Sequence, residues 1–244
     1  MSAIHTPPAP LPSFPYDAPV PPASVGVDAE RLARAVDLFR AQQARGLFPG
    51  GQLAVRRRGH LVASVVVGLA RGARGEEAPV PVTATTRFNM HSASKPLVGL
   101  CIARLEEAGA VALDAPVARY VPEFAANGKG AITLLDVLTH RGGVLLPGLI
   151  ASPERWADPE AVLRALVEAV PTHPRGTLAY HPNEFGWILA EVVRRVVGEP
   201  LDAFCSRELL APAGLGEMAF RGQAAWRGQV ARTYWVGRRP HLLN

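Results

Sequence analysis

Ser92 and Lys95 are the residues whose types and spacing most directly suggest chemistry. A serine hydroxyl becomes a nucleophile when a base lies within hydrogen-bond reach and nearby donors stabilise the negative charge that develops. Residues three apart on a helix share one face, and a helix start offers free backbone N–H groups. The apolar residues that follow at helical spacing are Val98, Cys101, Ile102 and Leu105. The spacing therefore predicts a serine–lysine pair at the start of an amphipathic helix, with a solvated helix start and a surface lysine as the rival interpretation.

Composition describes an ordinary globular protein of one large domain or two small ones. The chain has 244 residues, 48% of them hydrophobic and 19% charged, which is ample length to bury a core. The net charge of +5 comes almost wholly from scattered arginines, since Lys95 and Lys129 are the only lysines. This pattern predicts no nucleic-acid partner.

Several other classes of site and location are disfavoured by the sequence. Cys101 and Cys205 both fall in apolar helical patterns, which indicates buried thiols rather than a disulfide or a metal pair. The histidines show no ligand spacing with cysteine or carboxylate residues, so we expect neither a metal nor another cofactor. No apolar stretch is long enough for a membrane span, and no secretory signal is recognisable. We therefore expect a cytoplasmic protein.

The first third of the chain predicts a leader, a helix and a hairpin. Residues 1–25 are rich in proline and predict an extended, flexible leader, after which the main domain occupies residues 26–244. Asp28 is a helix cap before an apolar periodic stretch. Gln52–Arg57 and Leu61–Leu69 predict two strands joined by a turn.

Helix signals dominate the rest of the chain. Thr133 and Asp136 have capping-box spacing, and Asp158 precedes a proline at a helix start. Gly176–Asn183 reads as a loop before a helix over Glu184–Val197. Two weaker patterns follow, a helix over Leu201–Leu210 and a strand over Val230–Val236.

Several segments in this order resemble the class C β-lactamase-like serine hydrolase family. Ser92-Ala93-Ser94-Lys95 matches the Ser-x-x-Lys nucleophile motif, which β-lactamases share with penicillin-binding proteins. The segment from Ile132 to Gly143 is similar to the family's ITLRHLLTHTSG helix, and residues 174–198 to its PGTxxxYSNxGYxLLGxIIExVTG segment. The resemblance covers roughly residues 28–220, and the family contains β-lactamases, D-alanyl-D-alanine peptidases, esterases and acyltransferases.

The resemblance implies a mixed α/β (α+β) fold of the β-lactamase/transpeptidase type, with a helical domain and an antiparallel sheet. The family's third motif, Lys/His-x-Gly on a C-terminal strand, has no match before Asn244. We therefore expect an incomplete member in which the C-terminal sheet strands are missing. An unpaired sheet edge predicts self-association of the chain.

The resemblance also implies roles for individual residues. Ser92 would be the nucleophile of an acyl-enzyme, and Lys95 would be its base or would keep Tyr180 deprotonated for that task. Tyr180 would pass the proton to the leaving group, and Asn183 would stand in for the substrate-binding amide, one residue later than the family's Tyr-x-Asn spacing. His140, just past a short helix, is expected to hold the loop that follows it.

Two functional hypotheses follow from these expectations. The first is a serine hydrolase that acts through an acyl-enzyme on a small-molecule ester or lactam, most plainly as an esterase. The second is a truncated, non-catalytic member that is inactive or needs a partner to complete its site.

Overall fold

The computed structural model describes residues 19–150, 152–220 and 222–234, which fall into two units. One unit lies between residues 91 and 220, and the other contains residues 19–90 together with residues 222–234. The strands are β1 (Gly50–Arg57), β2 (His60–Arg71) and β3 (Val80–Pro81). The α-helices are α1 (Ala29–Ala44), α2 (Lys95–Glu107), α3 (Leu134–Leu138), α4 (Pro147–Ile150), α5 (Pro159–Glu168), α6 (Glu184–Val197) and α7 (Leu201–Cys205).

The sheet has the order β1-β2-β3 and is antiparallel throughout. Strands β1 and β2 form the predicted hairpin, whose register runs from Gly50 opposite Gly68 to Arg57 opposite His60. The connecting Arg58 has a positive φ of 52°, as the tight turn of a two-residue hairpin requires. The short strand β3 lies in the connection that follows β2 and was not predicted, because two residues leave no periodic pattern in a sequence.

Helix α1 packs on the hairpin within the same unit. As predicted, Asp28 caps it, because the carboxylate accepts a hydrogen bond of 2.9 Å from the Arg31 backbone N–H. The Phe39 ring stacks on Phe48 with 5.3 Å between ring centroids. Gly51 permits this approach, since a Cβ there would lie 3.2 Å from the Phe39 ring.

The chain returns to this unit after residue 222. The backbone N–H of Ala231 donates to the Arg87 carbonyl at 2.8 Å, and that of Arg232 donates to the Ala70 carbonyl at 2.8 Å. Val230 forms an isolated parallel bridge with Arg87. The strand predicted over Val230–Val236 is therefore one bridge within the described residues, and its last two positions lie outside them.

The predicted leader, residues 1–25, lies mostly outside the described residues. Its described end forms a 3-10 helix over Pro22–Val25, and Val25 is buried. Just before this helix, the Val20 backbone N–H donates to the Leu61 carbonyl at 2.8 Å, so this stretch is bound to the hairpin.

The larger apolar core belongs to the helical unit. Helices α2, α6 and α7 pack against one another, and their inward positions carry the most deeply buried side chains. Leu105, Leu189, Phe204, Cys101 and Cys205 are all fully buried. The two cysteines are free thiols, as predicted. A hydrogen bond with Cys205, together with burial, raises the pKa of the Cys101 thiol.

Local signals set the ends of the helices in this unit. Thr133 and Asp136 form the predicted capping box at the start of α3. The Asp158 carboxylate accepts from the first backbone N–H groups of α5, at 3.0 and 3.1 Å. Helix α6 ends at Gly198, whose φ of 78° closes the last turn.

Lys129 is fully buried and binds the end of α5. Its ammonium donates to the backbone carbonyls of Ala126 at 2.6 Å, Val167 at 2.9 Å and Ala169 at 2.5 Å. Carbonyls at a helix C-terminus carry partial negative charge and lack intrahelical donors, so a cation there satisfies them. Burial lowers the pKa of this ammonium.

Candidate active site

The predicted nucleophile lies in one turn of 3-10 helix, His91–Ser94, that leads directly into α2. His91 has a positive φ of 45°, which is uncommon for a residue with a side chain and turns the chain sharply just before Ser92. The Ser94 hydroxyl donates to the His91 carbonyl at 2.7 Å and closes the turn. The unit boundary falls between Met90 and His91, so this turn belongs wholly to the helical unit.

The structure brings the three predicted catalytic side chains together. The Lys95 ammonium donates to the Ser92 hydroxyl oxygen at 3.1 Å, one turn along the chain as the spacing predicted. The Tyr180 phenol forms a hydrogen bond of 2.7 Å with the same oxygen, although it lies 88 residues away in the sequence. Ser92 Oγ is therefore the shared partner of an ammonium and a phenol.

The charge of Lys95 acts on Tyr180 as well as on Ser92. The Lys95 Nζ atom lies 5.0 Å from the centroid of the Tyr180 ring. Hydrogen bonding to Lys95 and then to Ser92 lowers the pKa of the Tyr180 phenol below its ordinary value, and partial burial opposes this shift. The phenolate is thus easier to form here than in water, which is what a base for a serine hydroxyl needs.

His140 contacts the segment that carries Tyr180. Its ring centroid lies 4.9 Å from that of Tyr180 and 5.2 Å from that of Phe185. Burial and the nearby charge of Lys95 lower the pKa of His140. The sequence predicts that this histidine holds the loop that follows it, and the structure shows in addition that its ring contacts the segment that carries Tyr180.

His181 lies behind Tyr180, stacked on His140 with 5.6 Å between ring centroids. It is 3% exposed, and neither ring nitrogen has a hydrogen-bond partner. Burial, followed by the charges of His140 and His173, lowers the pKa of His181 to about 4. His181 is therefore a neutral, buried ring at ordinary pH.

Asn183, the predicted substrate-binding amide, precedes α6. Within the described part of the chain its side chain forms no hydrogen bond with Ser92, Lys95 or Tyr180. The neighbouring Glu184 was not singled out from the sequence, yet it is fully buried. Its carboxylate accepts from the Leu146 backbone N–H at 2.6 Å, which ties that segment to the start of α6. A glutamate at the start of an apolar helix face is the signal that could have revealed it.

Two further features of the described residues concern metal binding and membrane crossing. Between residues 19 and 234, leaving out positions 151 and 221, no three His, Cys, Asp or Glu side chains are grouped so that they could hold a metal ion. No helix in the described ranges is long and apolar enough to cross a membrane.

One unit is helical and holds a serine turn, a lysine one turn away and a tyrosine from a distant loop, and the other unit contains an antiparallel sheet. This combination is that of the β-lactamase/transpeptidase class of fold. A family model described as Beta-lactamase matches residues 35–243, and the chain belongs to that family.

Individual relatives agree with this assignment. The chain is 35% identical over 188 residues to the esterase/beta-lactamase LipL of Mycobacterium tuberculosis, covering 77% of this chain and 42% of that protein. It is 31% identical over 221 residues to esterase EstB of Burkholderia gladioli, covering 83% of this chain and 55% of that protein. The crystal structure of a penicillin-binding protein homologue from Caulobacter crescentus superposes with a TM-score of 0.71 at 28% identity, over 84% of this chain and 54% of that one. The chain thus spans about half the length of these relatives.

Proposed function

We propose that this protein is a serine hydrolase that cleaves small-molecule esters through an acyl-enzyme on Ser92. The observation that carries the proposal is the convergence of the Lys95 ammonium and the Tyr180 phenol on Ser92 Oγ, at 3.1 and 2.7 Å. A nucleophile within hydrogen-bond reach of a base, with the base oriented by a third group, is the arrangement that activates a hydroxyl.

The proton moves between Ser92 and Tyr180 in this proposal. The Tyr180 phenolate takes the hydroxyl proton as Ser92 Oγ bonds to the ester carbonyl carbon. The tetrahedral intermediate then expels the alcohol, which leaves with the proton returned by Tyr180. In the second half of the cycle, water gives one proton to the Tyr180 phenolate as its oxygen bonds to the acyl carbon. The tetrahedral intermediate then breaks its bond to Ser92 Oγ, which receives that proton from Tyr180, so that the acid leaves and the Ser92 hydroxyl and the Tyr180 phenolate are restored.

Lys95 supports these steps by its charge. A lysine at this position could act as a direct base or could favour the ionised form of Tyr180, and the lowered pKa of Tyr180 supports the second role. The Lys95 ammonium also stabilises the negative charge that develops on Ser92 Oγ as the hydroxyl loses its proton.

The developing oxyanion needs donors. We assign the Ser92 backbone N–H as one donor in this unit, because it belongs to the nucleophile itself and lies in the 3-10 turn before α2. Removal of one donor to a developing oxyanion typically lowers the rate about 10²- to 10³-fold.

The substrate class is supported by the relatives. The names of LipL and EstB both include the word esterase, and that of LipL also includes beta-lactamase. Esters are the proposed substrates, and lactams form the second class to test. The rival function, a non-catalytic member or one that needs a partner, is the other outcome of the same experiment.

The experiment combines turnover and labelling. The wild type should hydrolyse a short-chain p-nitrophenyl ester and gain the mass of a fluorophosphonate adduct, and Ser92→Ala should do neither. Ser64→Ala, at an exposed position on β2, is the matched control and should behave as the wild type. A folded wild type that neither hydrolyses nor labels would overturn the proposal in favour of the non-catalytic reading.

A further inference from the structure

Both neighbours of Tyr180 in the chain are hydrogen-bonded to one residue, His140. The backbone N–H of Ala179 donates to the His140 carbonyl at 3.0 Å. The backbone N–H of His181 donates to the Nδ1 atom of the His140 ring at 3.2 Å. Residues 177–181 belong to no helix or strand, so these two bonds flank Tyr180 where no regular element fixes it.

His140 also contacts the tyrosine itself. The two ring centroids are 4.9 Å apart with the planes tilted by 54°, within the range of favourable aromatic pairs. The Tyr180 residue is 53% exposed, so much of its surface has no other packing to restrain it. Two hydrogen bonds and one ring contact from a single residue therefore restrict where the phenol can lie.

The backbone of His140 adopts a sparsely populated conformation to make these bonds. Its φ is 57°, in the left-handed region that a residue with a side chain seldom occupies. Residues held in such conformations cluster at functional sites, where surrounding structure stabilises them. The conformation permits the carbonyl and the ring of His140 to face the same segment.

The His140 ring can accept the hydrogen bond from the His181 backbone N–H only when the ring is neutral. Because Nδ1 accepts a hydrogen bond, the neutral ring carries its proton on Nε2. A protonated ring would present an N–H at Nδ1 to the backbone N–H of His181, which is a contact between two donors. Burial and the charge of Lys95, which lower the pKa of His140, favour the neutral form.

We propose that His140 is a positioning residue that holds the Tyr180 phenol against Ser92, through its hydrogen bonds to the residues on either side of Tyr180. The inference rests on the proposed function, since it assigns His140 a task in the same reaction. His140 touches neither Ser92 nor the reacting atoms in this role, and it acts through Tyr180.

Side-chain variants at position 140 distinguish the effect of the Nδ1 hydrogen-bond acceptor from the effect of side-chain volume. His140→Leu removes Nδ1 and keeps an apolar branched side chain. His140→Asn offers an amide oxygen in place of Nδ1, and asparagine tolerates a positive φ. We expect His140→Leu to slow fluorophosphonate labelling of Ser92 about 10- to 100-fold, because small misplacements of a reacting group have effects of that size. His140→Asn should be about fivefold faster than His140→Leu, the ratio that one net hydrogen bond supports.

Two further variants guard against an effect on folding. His140→Gly accepts the positive φ without strain and should be slow like His140→Leu, even if the leucine variant folds poorly. His60→Leu, at an exposed position of the hairpin, is a histidine control that should label at the wild-type rate. If the leucine, glycine and asparagine variants all label at the wild-type rate, the inference is wrong.

A double-mutant cycle tests whether His140 acts through Tyr180. In a Tyr180→Phe background the phenol is absent, so His140→Leu should have little further effect on the labelling rate. An equal loss in both backgrounds would instead assign His140 a general structural role and overturn the inference.

A titration that needs no turnover completes the test. The ionisation of Tyr180, isolated as the ultraviolet difference between wild type and Tyr180→Phe, should move back towards the ordinary value near 10 when His140→Leu releases the phenol from Lys95 and Ser92. An unchanged midpoint would contradict the inference. If wild-type Ser92 does not label at all, the proposed function fails, and this titration still decides whether His140 holds the phenol.

Discussion

The hydroxyl of Ser92 and the phenol of Tyr180 are separated by 88 residues of sequence and by 2.7 Å in the structure. Ser92 lies in the 3-10 turn that leads into α2, whereas Tyr180 lies in a loop before α6, and these two helices pack against each other in the core of one unit. The hydrogen bond therefore depends on the packing of the helical unit. The core positions the two groups, and local turns at each end aim them.

The first prediction concerns the pH dependence of the reaction. Hydrogen bonding to Lys95 and to Ser92 lowers the pKa of Tyr180, so the phenolate that we propose as the base forms more readily than that of an ordinary tyrosine. The labelling rate of Ser92 should rise as the pH increases through the Tyr180 ionisation, with a midpoint below the ordinary tyrosine value. In Tyr180→Phe the rate should fall about 10²- to 10⁴-fold and lose this rise.

Tyr120→Phe is the matched control for that prediction. The Tyr120 hydroxyl accepts a hydrogen bond of 2.8 Å from the Ala112 backbone N–H, a contact that involves none of the three candidate catalytic residues. Removal of the Tyr120 hydroxyl should lower the free energy of unfolding by about 1 kcal/mol and leave the pH profile of Ser92 labelling unchanged. A Tyr180→Phe protein that keeps the wild-type profile would show that another group takes the proton.

The second prediction concerns acid stability. The pKa of His181 is lowered to about 4 in the folded chain, against about 6.5 for an unperturbed histidine. Between these values the unfolded state binds more protons than the folded state, so the free energy of unfolding falls as the pH falls from about 6.5 to about 4. The loss should be about 3 kcal/mol in the wild type.

Urea unfolding of the wild type and of His181→Leu across that pH range isolates this effect. The ring nitrogens of His181 have no hydrogen-bond partners to lose, so the leucine variant should fold and should show a flatter pH dependence. Parallel curves for the two proteins would contradict the prediction.

The third prediction compares the two lysines of the chain. Lys129→Met leaves three backbone carbonyls without their ammonium donor, and should lower the free energy of unfolding by about 2 kcal/mol. Lys95→Met removes the cation beside Ser92 and Tyr180, and should abolish labelling with a much smaller effect on stability. Thermal melts and labelling rates of both variants provide the comparison. A loss of labelling in Lys129→Met, or a loss of stability without a loss of labelling in Lys95→Met, would contradict the prediction.

The fourth prediction is that the isolated chain self-associates through its sheet. Within the residues that the structure describes, β1 pairs with β2 alone, so its other edge carries backbone groups without strand partners. Open edges of this kind pair with other chains. Light scattering at about tens of micromolar should show species larger than a monomer.

A variant at the edge provides the control for self-association. Ala54→Lys places a charge at an exposed position of β1, which should reduce the mass towards that of a monomer. A wild type that is monomeric at the same concentration would refute the prediction.

The parts of the fold that were predictable are those determined by neighbouring residues. Asp28 caps α1, Thr133 and Asp136 form a capping box, and Gly198 ends α6, all through contacts within four residues. The Ser92–Lys95 pair belongs to the same category, because one helical turn joins the two side chains.

The parts that were not predictable depend on contacts between distant segments. Strand β3 exists because it pairs with β2, and its two residues show no pattern of their own. Lysine is usually a surface residue, yet Lys129 is fully buried, because backbone carbonyls about 40 residues away accept hydrogen bonds from its ammonium. The hydrogen bond from His181 to His140 likewise spans 41 residues and could not be inferred from spacing.

The two buried thiols make the helical unit a probe of its own opening. Cys101 on α2 and Cys205 on α7 are fully shielded from solvent, and the raised pKa of Cys101 keeps that thiol protonated and unreactive. A thiol reagent can therefore react only in molecules whose core has opened. Its rate under native conditions reports how often α2 and α7 separate, and it does so without any substrate.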